Sequence, residues 1–307
     1  MRPLDSRLLH RARAARVLLG TDVTIGIATA LVVLVQATLL ARVVARSFTG
    51  ASLGDVSLDL ALLALVFVLR GSLAWGFEVA GRLGATDVLS QLRREVVERR
   101  LRDEPSALDG AESAEITAAA VQGLGPLEAY FGRFLPQLVL ALVVPLAVVA
   151  WALPLDWTAA LVMLVTLPLV PVFMVLVGRY TERRTRARWR ALALLSTHFL
   201  DVVRGLPTLR AFNRGTAQTA SIAESSERYR ETTIKTLRVA FLSGAVLELA
   251  ATLGIALVAV TVGVQLVDGD VGLQAGLTVL VLAPELYLPL RNLAAQYHAS
   301  ADGIAVA

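Results

Sequence analysis

A few side chains able to do chemistry interrupt stretches that are otherwise almost wholly apolar: Arg70, Glu78, Arg82, Glu248, Glu285, Tyr297 and His298. Ionisable groups in such stretches are functional candidates, because hydrocarbon penalises charge. Arg70 stands midway through the apolar run 58–81, with no acidic residue within a helical turn of it. Its planar fork suits a carboxylate ligand; the alternative is a structural pair with Glu248 or with a carboxylate of another helix. Glu78 and Arg82 are four apart, the spacing of an ion pair along one helix face. Glu285 follows Pro284 and is expected to cap amides that the proline disturbs. Tyr297 and His298 close another apolar run. There an imidazole either hydrogen-bonds or ligates a polar cargo, or is simply satisfied near headgroups. Arg70, Glu248, Tyr297 and His298 are the candidate substrate pathway.

Other chemistries are missing from the sequence. It has no cysteine, which excludes disulfides, thiolate zinc sites and cysteine nucleophiles. No metal-ligand spacing, catalytic triad or isolated acid–base pair stands out. No G-x-x-x-x-G-K-[ST] phosphate loop occurs, and Lys235, the one lysine, lies in a helical stretch. These residues therefore supply no ATP site. Of the 29 basic residues 28 are arginine. They alternate with apolar helical positions beside hydrophobic runs, so lipid phosphate and helix pairing explain them better than nucleic acid does. His10 and His198 fall outside the apolar runs and are expected to serve surface packing or packing within the long helical excursions.

The elements that must hold these residues are membrane helices. Hydrophobic residues make up 56% of the 307 and charged residues 18%, with a mean hydropathy of +0.67. Residues 1–20 interleave Arg2, Arg7, Arg11, Arg13 and Arg16 with Leu8, Leu9, Val17 and Leu18, the pattern of an amphipathic helix on the membrane surface. No signal peptide is expected, since the first apolar run is too long for one. Six spans are predicted, at 21–44, 58–81, 134–153, 157–178, 239–267 and 273–293. Pro145, Pro168 and Pro171 lie inside them, where neighbouring helices can satisfy the freed carbonyls.

Short connections join spans one and two, three and four, and five and six, and residues 47–57, 154–156 and 268–272 within them hold no basic residue. Residues 1–20, 82–133 and 179–238 instead hold 25 of the 29 basic residues. The positive-inside rule then puts both termini and both long excursions in the cytoplasm. The excursions are too long and too periodic for loops. If about 20 residues of each helix continue past the lipid, they project roughly 30 Å. Pro105 is expected to end the first such helix, and a short helix is expected over 111–120. In the second, Gly205 and Pro207 break the helix, and Asn213 is expected to cap a small helix over 212–218.

The string GLPTLRAF, within residues 204–215, resembles the G-x-x-T-[IL]-[KR]-x-F signature of ABC exporter transmembrane domains. Residues 123–148 (GLGPLEAYFGRFLPQLVLALVVPLAV), 238–260 and 282–303 are similar to the CydD-type subunit of the thiol-reductant exporters of cytochrome bd biogenesis. The resemblance implies an all-α membrane protein of the type 1 ABC exporter fold, with residues 1–20 as its elbow helix and 21–307 as its transmembrane domain. It also implies a bacterial cytoplasmic membrane, a homologous second half in a heterodimer, and nucleotide-binding domains that bring ATP and Mg2+.

Family members normally continue into such a domain. The ATPase is accordingly expected on a longer polypeptide or a separate one. Residues Ala111, Glu112 and Glu115, and Phe212, Asn213, Arg214 and Gly215, then become the contacts that couple to it. The cargo implied is cysteine, glutathione or haem, with haem iron a possible partner of His298 and a haem propionate one of Arg70. The alternatives are a lipid, drug or peptide exporter, and a non-transporting haem-binding assembly protein.

Overall fold

The computed structural model describes residues 13–102, 128 and 130–304. Among these there is no strand. The helices are α1 (Arg13–Phe48), α2 (Leu53–Arg102), α3 (Leu135–Ala152), α4 (Trp157–Thr166), α5 (Leu169–Arg204), α6 (Leu206–Ala211), α7 (Gly215–Asp268) and α8 (Leu273–Ile304). A five-residue π turn, Tyr130–Phe134, leads into α3. Among the described residues five helices are long and apolar enough to cross a membrane, within 17–48, 53–91, 130–152, 218–268 and 273–296. With this many apolar helices the chain is a multi-pass, all-α membrane protein.

The predicted fourth span departs from a single helix. It is a shorter apolar stretch, Trp157–Phe173, interrupted at Leu167 and Pro168 between α4 and α5. Pro168 has no amide to continue the ladder, and its ring crowds the carbonyl one turn earlier. The Leu167 amide makes the last bond of α4, 2.8 Å to the Met163 carbonyl.

The short turns are built by recognisable caps. At the start of α2 the Asp55 carboxylate reaches back to Ser52, accepting from its amide at 2.9 Å and from its hydroxyl at 2.7 Å, while the Asp55 amide donates to the Ser52 carbonyl at 3.0 Å. Asp156 starts α4 by accepting from the amides of Thr158 and Ala159, both at 3.0 Å. Gly50 and Gly269 take positive φ at the other turns, where a side chain would be strained. Two arginines near the Gly50 turn are neutralised locally. Arg46 meets Asp59 at 3.0 Å and Arg42 approaches it at 3.9 Å.

The chain divides into two compact units, one of residues 1–170 and 250–307 and the other of 171–249. In the first, α1, α2, α3 and α8 pack together, and Val88, Phe131, Leu135, Leu286 and Tyr287 are wholly buried. Large apolar side chains such as Leu65, Val68 and Val165 remain exposed, as lipid-facing positions must. Two crossings depend on missing side chains. A Cβ on Gly81 would stand 2.7 Å from the Gly132 carbonyl oxygen, and one on Gly254 would stand 2.6 Å from Tyr287 Cζ.

In the second unit, α5 and α7 lie side by side, with His198 of α5 contacting Ser225 Oγ at 3.2 Å and Ser221 Oγ at 3.5 Å. His198 therefore packs the hairpin, as expected of it. On α7, Glu224–Arg228, Glu227–Arg230 and Glu231–Lys235 form pairs one turn apart, the device of a solvated helix face.

At the hairpin tip the small helix is α6, Leu206–Ala211, and not 212–218. Pro207 starts that helix, because a missing amide costs nothing in a first turn. Asn213 is not a helix-starting cap. It takes φ 54° after α6, while the Arg214 amide bonds the Leu209 carbonyl at 2.9 Å and the Asn213 amide bonds Arg210 at 3.1 Å. That double bond pattern is a Schellman stop, for which asparagine tolerates the left-handed residue. The second small helix expected over 111–120 lies outside the described residues.

The Gly254–Tyr287 crossing gives the first prediction. Gly254→Ala should destabilise the solubilised protein by about 1–3 kcal/mol through overpacking, and Tyr287→Phe in the same chain should recover part of that. Thermal melting in detergent reads both, and an unchanged melting temperature in Gly254→Ala would show that α7 and α8 are not this close.

Candidate functional site: a buried guanidinium cluster

Arg70 lies in the middle of α2, where the helix is apolar for several turns on either side. Its guanidinium is not left alone. Nη1 donates to Glu285 Oε1 at 2.8 Å and Nη2 to Glu285 Oε2 at 2.9 Å, while Nη1 also donates to Gln36 Oε1 at 2.9 Å. The fork-on-carboxylate geometry is the strongest form such a pair takes. Three helices, α1, α2 and α8, thus contribute one polar group each.

The cluster is mostly, but not wholly, enclosed: the Arg70 and Glu285 side chains are 28% and 21% exposed. Glu285 was expected to cap amides beside Pro284; it pairs with Arg70 instead, because an arginine in hydrocarbon must have an anion and no nearer one exists on α2. The structural alternative for Arg70 is therefore realised, with Glu285 and not Glu248 as the partner. Glu248 is exposed on α7, in the second unit.

Other polar groups support this part of the bundle. Gln137 Nε2 donates to the Pro289 carbonyl at 3.1 Å, tying α3 to α8. Tyr287 is buried and its hydroxyl meets Thr166 Oγ1 at 2.6 Å, where α4 ends. Gln265 of α7 hydrogen-bonds Thr158 of α4. Glu78 and Arg82 form the expected pair along α2, each 65% exposed.

Asp22 escaped the sequence reasoning because it stands one residue inside the first predicted span and reads as a boundary residue. It is wholly buried, and neither carboxylate oxygen has a partner among the described residues. Tyr297 and His298 sit on the last turns of α8, but their side chains lie outside the described residues, as do Ala111, Glu112 and Glu115. Phe212 is 75% exposed at the tip of the second unit, with Asn213, Arg214 and Gly215 exposed beside it. Among the described residues no group of three or more histidine or acidic side chains is arranged to hold a metal ion.

This arrangement of long apolar helices with a hairpin ending in the GLPTLRAF tip matches a known family model, the ABC transporter transmembrane region, over residues 22–287. The chain belongs to that family. It is similar to the glutathione/L-cysteine transport system ATP-binding/permease protein CydD of Escherichia coli, 40% identical over 258 residues, which are 81% of this chain and 44% of that protein. It is also similar to CydC, of the same described system, from Bacillus subtilis, at 32% over 88% of this chain and 48% of the relative.

The transport ATP-binding protein AarD of Providencia stuartii is 34% identical over 98% of this chain and 53% of its own length. The chain thus spans about half the length of the relatives it matches. The CydD-type resemblance carried by residues 123–148, 238–260 and 282–303 agrees with these similarities.

Breaking the cluster from one side should cost more than removing it. Arg70→Met and Glu285→Leu should each lower stability by about 1–3 kcal/mol, discounted for the partial exposure, because each strands a charge among helices. The double variant should lose less than the two losses added. Melting of the four proteins in one detergent tests this, and strict additivity would mean that the pair does not form.

Proposed function

We propose that this chain is the transmembrane half of an ATP-driven exporter of the CydD type, moving a small thiol such as cysteine or glutathione out of the bacterial cytoplasm. It works with a homologous second half and with nucleotide-binding domains, and both of its termini face the cytoplasm. The observation that carries this reading is the Arg70 cluster. A guanidinium held in the middle of lipid-facing helices, with its counter-ion on another helix, gives a carboxylate-bearing cargo a place to bind by exchange with Glu285. The similarity to described glutathione/L-cysteine transport proteins supports the same cargo.

The motor acts from outside the bilayer. Two nucleotide-binding domains close on ATP with Mg2+ and grip the hairpin tips, at α6 with Phe212 to Gly215 on one side and near Ala111, Glu112 and Glu115 on the other. Helix α7 runs unbroken for 54 residues, about 80 Å at 1.5 Å per residue, far more than a bilayer needs. A helix of that length transmits a push at its tip as a rigid lever and switches access to the pathway. Arg70, Glu248, Tyr297 and His298 line that pathway in this reading.

Inverted membrane vesicles carrying this chain with its ATPase domains and second half should accumulate labelled glutathione or cysteine when given ATP. Arg70→Gln should reduce that uptake at least about tenfold, the loss of one charge-assisted carboxylate contact. Failure of the wild type to accumulate either thiol would overturn the cargo. Phe212→Ala, which removes an exposed ring and no core contact, should leave the protein in the membrane but sever ATP hydrolysis from uptake. Normal uptake in that variant would mean that the tip is not where the motor grips.

A further inference from the structure

A second polar site lies on the same helix, nearer the end that the arginine distribution assigns to the cytoplasm. The Gly81–Gly132 crossing brings α2 against the π turn with no side chain between them. The next residue on each side is an arginine, so Arg82 and Arg133 are delivered to one place. Together with Glu78, Gln137 and Gln296 they line a cavity of about 450 Å³, with Phe77 on its wall. That volume is in the range of about 300–1,000 Å³ usual for small-molecule sites.

The charges are unevenly satisfied. Arg82 Nη2 donates to Glu78 Oε1, and among the described residues Glu78 Oε2 has no partner. Arg133, exposed in the π turn, makes no ion pair among the described residues. The cavity therefore offers one guanidinium ready for an anion, one carboxylate oxygen ready for a cation, and two amides between. Its formal charge is +1 from the two arginines and the glutamate that line it.

Resting on the thiol-exporter reading above, we propose that this cavity is a loading site for a zwitterionic amino-acid or small-peptide cargo: Arg133 takes a carboxylate and Glu78 takes the α-ammonium group. The requirement for both charges distinguishes it from the Arg70 cluster, which presents a positive fork to a carboxylate alone. Glu78 and Arg70 are eight residues apart on α2, about 12 Å of helix rise, and two turns put them on similar faces. A cargo leaving the loading site thus has the second anion-binding group within one molecular length.

The same pair of charges occurs in a phosphatidylethanolamine headgroup, so the test must separate cargo from lipid. Calorimetric binding would use the complete transporter, with its second half and ATPase domains, in phosphatidylglycerol nanodiscs. The probes are glutathione and N-acetylglutathione, which lacks the ammonium group. Arg133→Gln should weaken both probes about tenfold, and Glu78→Gln should weaken glutathione while leaving N-acetylglutathione unchanged or tighter. Arg133→Lys, which keeps the charge and loses the fork, should fall between wild type and Arg133→Gln and so controls for misfolding.

If Glu78→Gln tightened both probes, the cavity would be a plain anion site and the proposal would fail. Unchanged binding in all three variants would remove the loading site and leave the exporter reading standing. No glutathione binding by the wild type would overturn both. Variant-sensitive binding without ATP-driven uptake would overturn only the exporter reading. Loss of glutathione binding when phosphatidylethanolamine is added to the discs would assign the cavity to the headgroup and refute the cargo site.

Discussion

Hydrocarbon penalises an unpaired charge, and around Arg70 the first unit is arranged to meet that penalty. Arg70 carries its guanidinium among apolar helices, so α2 is stable in a bilayer only if another helix brings an anion to it. Glu285 does so from 215 positions further along the chain. Gln36 completes the contact from α1. One guanidinium therefore fixes the mutual rotation of three helices, in a medium where apolar surface alone supplies little orientation. Shape does the rest: Gly81 against Gly132, and Gly254 against Tyr287, let backbones and rings approach to distances that any side chain would prevent.

Water imposes the opposite demand on the helices that outrun the bilayer. The 50 residues of α2 and 54 of α7 exceed any hydrocarbon core. The excess has to be soluble without ceasing to be helix. On α7 the solution is a ladder of acidic and basic residues one turn apart, from Glu224 to Lys235. Such exposed pairs add only a few tenths of a kcal/mol each. Their value is that they favour helix in a stretch exposed to water, which the proposed transmission of a displacement from the tip would require. The Schellman stop at Asn213 makes that tip a defined corner.

How much of this was legible depended on whether a feature was periodic or tertiary. Apolar length and the absence of arginine from the short turns located the spans, because both are properties of consecutive residues. The partner of Arg70 was not legible: an arginine in a span announces that it needs an anion, but only packing selects Glu285 over Glu248. Pro284 then misdirected attention, since a carboxylate beside a proline has a local use that the fold did not adopt.

The tip helix was displaced to 206–211 because Pro207 was weighed as a breaker and not as a first-turn residue. Pro168 was the reverse case, a proline expected to be tolerated that ends α4. Asp22 was overlooked because a carboxylate at a predicted span edge looks solvated, and its complete burial arises from α1 continuing as helix below that edge, from Arg13.

The placement of charge along α2 bears on why a transporter of this kind would use two polar sites. A single site that binds cargo tightly enough to collect it from the cytoplasm also holds it against release. Dividing recognition relieves that conflict. At the end that the arginine distribution assigns to the cytoplasm, Glu78, Arg82 and Arg133 are exposed side chains, and in the proposed loading role each contact there would be weak and exchange fast. Two turns deeper, Arg70 is largely enclosed, where the same contact is stronger but must displace Glu285 to form. Binding there is thus opposed by an internal competitor of matching geometry. On the proposed mechanism Glu285 would retake the fork as cargo departs, sparing the site a bare guanidinium in hydrocarbon. The two readings of Arg70 are then compatible, because the ion pair that holds the empty bundle together would also be the competitor that releases the cargo.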